Sequence, residues 1–174
     1  MDSLGNGPIF AEICSTYVQF VKKRYQHCIV VFKWYGQGVN TEDSTHGRKT
    51  AGVIGTEVRF TRASTFRGKK QTLLENRKTK QLFINMMSQT MNKEHIETFH
   101  AAADAHLLIV LTAICSSMTK FTILVGDDTD LLQLLCYHTQ LASHPIYLQP
   151  RPKFNRDIRW DIHNLQGYLG IDVC

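Results

Sequence analysis

A chain of 174 residues with 43% apolar and 20% charged residues can bury a real core and is too apolar to stay disordered. Its formal charge of +5 implies an acidic partner only if the excess is concentrated in one place. The longest nearly apolar run, Ala105 to Cys115, contains His106 and Thr112 and is too short to span a bilayer, so no membrane partner is expected. Met1 to Pro8 lacks the basic and apolar regions of a secretion signal, which makes an intracellular protein, nuclear or cytoplasmic, the expectation.

From the N-terminus, Phe10 to Arg24 sets Phe10, Ile13, Cys14, Tyr17, Val18 and Val21 at helical spacing and ends in a basic turn. Cys28 to Phe32 is continuously apolar, the pattern of a strand buried on both faces. A loop is expected over 35–43 and a short helix over 45–51, while 53–61 is ambiguous. Leu73 to Met91 predicts a helix whose core-facing stripe is Leu82, Phe83, Met86, Met87 and Met91. A strand over 96–99, a helix over 104–116, a strand over 121–125, a helix over 129–138 and a strand over 146–148 follow. Pro150 and Pro152 then break the chain before a last helix, 162–169, closed by Gly170. This alternation implies an α/β fold with a mostly parallel sheet and helices on both faces.

The five cysteines show no Cys-x-x-Cys spacing, so neither a zinc nor a disulfide framework is expected. Cys28, Cys115 and Cys136 have apolar neighbours and read as buried reduced thiols. His95, His100 and His106 fall on a predicted strand and its exit rather than on one helix face, which argues against a zinc site made of the three.

The positive charge is concentrated. Arg59, Arg62, Arg67, Lys69, Lys70, Arg77, Lys78 and Lys80 stand against Glu75 alone, so this segment carries +7 and the other residues −2. A phosphate backbone is the natural counterpart of such a stretch, and Phe60 and Phe66 within it suggest stacking on unpaired bases. The alternative is a solvated basic face anchored by buried phenylalanines.

The negative charge gathers at strand ends. Ile123 to Val125 runs into Asp127, Asp128 and Asp130, where the next helix begins. Three close anions repel one another, and hard divalent ions prefer carboxylate oxygens. A metal site is therefore one expectation, and an ordinary turn with Asp130 capping the helix is the other. Asp104 follows the preceding strand in the same manner. Two neighbouring parallel strands would bring it to the same edge as Asp127, Asp128 and Asp130.

On these residues the chain resembles the PIN-like 5′-nucleases of the flap-endonuclease superfamily, and animal members of that superfamily most. The likeness runs from about Cys28 to Cys174. It is carried by His100 to Val110, by Leu124-Val125-Gly126-Asp127-Asp128-Thr129-Asp130-Leu131-Leu132, and by counterparts of Val30-Val31-Phe32 and Thr41 to Lys49. The resemblance implies a single three-layer α/β sandwich over 1–174 and phosphodiester hydrolysis with two Mg²⁺ or Mn²⁺ ions. It implies Asp104, Asp128 and Asp130 as catalytic metal ligands, with Asp127 an accompanying acid. It also implies that Arg59 to Lys80 occupies the interval where the family guides single-stranded or branched DNA or RNA.

The chain departs from the family pattern at two ligand positions, where Lys33 and His106 replace carboxylates. The Lys33 ammonium is expected to stand in for a cation beside Asp104 or Asp128, and His106 suits Mn²⁺ or Zn²⁺ better than Mg²⁺. The family's N-terminal strand and final acidic turn have no counterpart, so the sequence reads as a piece of the domain. The expected function is accordingly a nuclease-like nucleic-acid-binding domain with impaired catalysis. An active Mg- or Mn-dependent nuclease and an α/β interaction module without nucleic-acid role are the alternatives.

Overall fold

The computed structural model describes residues 7–35, 57–102, 104–139, 144–150 and 158–170. The loop and short helix expected over 36–51, the start of the 53–61 stretch and the Thr41 to Lys49 motif lie outside these residues. Within them the protein is mixed α/β, with six helices and two small sheets. It divides into two compact units, Met1–Ala103 and Asp104–Cys174. No described helix is long and apolar enough to cross a membrane.

In the first unit, helix α1 (Phe10–Tyr25) begins where the Glu12 carboxylate accepts the Ile9 N–H at 3.0 Å, and its basic last turn complements the helix dipole. Strand β1 (Ile29–Lys33) pairs in parallel with β2 (Glu97–Ala101), with Lys33 opposite Ala101. Contrary to the expectation of two buried faces, Ile29 is exposed and the rest of β1 is only half-buried. Among the described residues β1 has a single hydrogen-bonded neighbour, and a two-stranded ribbon covers less than a central strand requires.

The helix expected over 73–91 begins earlier and is broken. Helix α2 (Lys70–Glu75) stops at Asn76, whose side chain accepts the Thr79 N–H at 3.1 Å and caps α3 (Arg77–Lys93). Asparagine in an extended backbone satisfies a free helix donor more readily than it continues a helix. Met86, Met87 and Met91 join Phe10, Cys14, Val18, Phe60, Leu73 and Ile96 in the core, whereas Leu82, expected there, is exposed.

In the second unit the expected elements occur nearly as read: α4 (Ala105–Ser117), β3 (Thr122–Val125), α5 (Thr129–His138), β4 (Ile146–Gln149) and α6 (Ile162–Leu169). A two-residue strand, β5 (Trp160–Asp161), was not expected, and it pairs antiparallel with β4. Strands β3 and β4 are parallel. Val110, Ile114, Leu124, Leu131, Leu135, Ile146, Leu148 and Ile162 form the core. Gly170 closes α6 in the left-handed conformation (φ 62°) that glycine adopts without Cβ strain. Among the described residues β3 has β4 as its hydrogen-bonded neighbour and β2 has β1.

Candidate functional site

The second unit assembles its acids at helix starts. Asp104 caps α4, with Oδ1 accepting the His106 N–H at 2.8 Å. Asp128, rather than Asp130, caps α5, with Oδ1 accepting the Asp130 N–H at 3.0 Å. Each carboxylate thus faces the positive end of a helix dipole, which offsets part of the repulsion among the acids. Gly126 allows the turn to close over the core: its N–H donates to the Gln149 carbonyl at 3.0 Å, and a Cβ there would meet Leu131 Cδ1 at 2.7 Å.

His106, in the first turn of α4, joins the two caps. Its Nε2 lies 3.1 Å from Asp128 Oδ2, and its Nδ1 lies 3.5 Å from Asp104 Oδ1. The imidazole is 28% exposed, against 57% for Asp104 and 45% for Asp128, so the cluster is reachable from solvent. His106, Asp128 and Asp130 each present one donor atom within 4.8 Å of the others. Asp127 is exposed in the preceding turn and stands outside that group, as does Asp104. Within the second unit the starts of α4 and α5 thus bring Asp104 and Asp128 to either side of His106. The sequence carried its signal in the two-residue spacing from Asp104 to His106 and from Asp128 to Asp130, which places an acid cap beside a polar side chain in the first turn.

Lys33 ends β1 in the first unit. The basic segment lies in that unit too. Arg59 and Lys78 share Glu57, at 3.4 and 3.3 Å, and both are largely exposed. Hydrogen bonding from Lys78, followed by its charge and the Arg59 contact, holds the Glu57 carboxyl below the usual carboxylate range. Arg62 donates to the Thr90 hydroxyl at 3.0 Å, and the Lys80 ammonium sits 3.7 Å over the Tyr35 ring. Arg67, Lys69, Arg77 and Lys78 are exposed.

Of the two aromatics in the basic segment, Phe60 is a buried anchor and Phe66 is half-buried against the same core. Phe60 is 8% exposed and stacks on Phe10 with centroids 3.8 Å apart, while Phe66 meets the same ring edge-on at 5.7 Å. Both rings serve the core, since burying them yields more than leaving them to wait for a base. Cys115 is exposed rather than buried; Cys14 and Cys136 are buried and Cys28 partly so, and burial raises all three of those thiols. Comparison with family models, curated proteins and solved structures finds no match for this chain.

The donor set does not fit two Mg²⁺ ions. Mg²⁺ takes oxygen ligands at about 2.0–2.1 Å in strict octahedra, whereas the compact group contains an imidazole nitrogen and two carboxylates.

Proposed function

We propose that this chain is a nuclease-like, PIN-like domain of the three-layer α/β class that binds DNA or RNA, single-stranded or branched, without hydrolysing it in Mg²⁺. The observation that carries the reading is the His106 ring between Asp104 and Asp128, where the resembling family requires carboxylates around a metal. That ring, when protonated, offsets one of the two negative charges, and it lacks the oxygens that Mg²⁺ needs. The exposed Arg59, Arg67, Lys69, Arg77 and Lys78 supply the surface for phosphates, with sequence-independent and salt-sensitive affinity, while the Lys70 side chain lies outside the described residues. An intracellular site of action accords with such partners.

Fluorescence anisotropy of single-stranded and flap oligonucleotides, titrated with salt, tests the reading. Affinity is expected to fall linearly with salt on logarithmic axes, and Arg67→Ala or Lys69→Ala is expected to flatten the slope by about one unit each if each contacts a phosphate. Absence of salt-sensitive binding would leave an interaction module. A second reading, an active nuclease, draws on the compact His106, Asp128 and Asp130 group. Cleavage in Mg²⁺ or Mn²⁺ that disappears in Asp128→Ala would establish it.

A further inference from the structure

The mismatch with a two-Mg²⁺ centre has a chemistry of its own, resting on the site proposed above but not on nucleic acid. We propose that His106, Asp128 and Asp130 form a site for one borderline transition-metal ion, preferring Zn²⁺ to Mg²⁺, with Asp104 as a positioning residue rather than a ligand.

Spacing supports the assignment. Adjacent ligands on a zinc ion with bonds of about 2.0–2.2 Å stand about 3.0–3.5 Å apart. His106 Nε2 and Asp128 Oδ2 are already 3.1 Å apart, and all three donor atoms fall within 4.8 Å. Asp128 Oδ1 is engaged by the Asp130 N–H, which leaves Oδ2 as the donor toward the ring. Imidazole nitrogen with carboxylate oxygen suits zinc and its neighbours in the first transition row, whereas Mg²⁺ favours oxygen alone.

The second coordination layer agrees with this. A metal-binding histidine characteristically directs its other ring nitrogen at a carboxylate, which fixes the ring and raises its basicity. Asp104 Oδ1 stands 3.5 Å from Nδ1, and the same oxygen accepts the His106 backbone N–H at 2.8 Å. The helix cap therefore holds the carboxylate against the ring. Three protein ligands leave room on the ion for water or an oxyanion.

The test is calorimetric titration of the full chain with Zn²⁺ and Mg²⁺, with Co²⁺ absorption reporting the ligand set. Zn²⁺ is expected to bind at least about 100-fold more tightly than Mg²⁺. His106→Gln and Asp130→Asn are each expected to weaken Zn²⁺ binding, and His106→Asp to narrow its advantage over Mg²⁺. Asp104→Asn, which retains a capping side chain, is expected to weaken Zn²⁺ by about 10- to 100-fold. Circular dichroism checks each fold, and exposed Asp130 serves should the His106 variants unfold. Equal affinity for the two ions, or Zn²⁺ binding indifferent to both His106→Gln and Asp130→Asn, overturns the proposal. Loss of oligonucleotide binding with Zn²⁺ binding intact would sink only the nucleic-acid reading, and the converse only this one.

Discussion

His100 and His106 lie six residues apart, one in each compact unit, and meet opposite fates. His100 is packed near Phe32 and Trp34, with Nε2 3.0 Å from the Ser88 hydroxyl and Nδ1 buried without a hydrogen-bond partner among the described residues. His106 is partly exposed, and both ring nitrogens face carboxylates. In the first unit His100 packs beside aromatic rings and the aromatics of the basic segment join or border the core. The second keeps Asp104, His106, Asp128 and Asp130 at helix starts, where backbone dipoles and solvent tolerate charge. Residue type alone therefore does not mark a site; its place on the element does.

The most severe way to test this contrast is Phe60→Ala. If Phe60 is core, urea unfolding shows a loss of about 3–5 kcal/mol; unchanged stability with weakened oligonucleotide binding would restore the stacking role. In the second unit, Gly126→Ala is expected to cost about 1–3 kcal/mol as Leu131 is displaced, and a neutral result would mean that the turn relaxes freely. Asp128→Ala is expected to cost about 0.5–2 kcal/mol through its lost cap, with Asp128→Asn close to wild type. Equal losses in both would show that the contact with His106, rather than the cap, supplies the stability.

The smallest effect concerns Glu57. Its folded-state carboxyl titrates low, so its contribution to stability is present above the ordinary glutamate range and is lost as pH falls through the lowered value. An NMR titration should find the midpoint below that of an ordinary glutamate, moving upward in Lys78→Ala. No upward movement would mean that the ion pair does not persist in solution.

Legibility in the sequence followed locality. Helix α5 and helix α6 were read with their observed bounds, because apolar spacing and the flanking Asp and Gly residues act within one or two turns. The apolar period does not show the break at Asn76, because it runs on through a residue whose side chain caps a new helix. Strand β5 was missed because two residues carry no periodicity, and pairing with β4 alone defines it. At the site, the acids were legible as residues at strand exits, but the capping role fell to Asp128 instead of Asp130.

The sequence by itself determined the α/β alternation, the concentration of positive charge and the placement of Asp104 and Asp128 at helix starts, since each depends on neighbours within a few positions. Tertiary structure decided that Phe60 belongs to the core and that His106 stands between two carboxylates. Those outcomes depend on residues brought together from distant parts of the chain, and packing and electrostatics act on that distance in space.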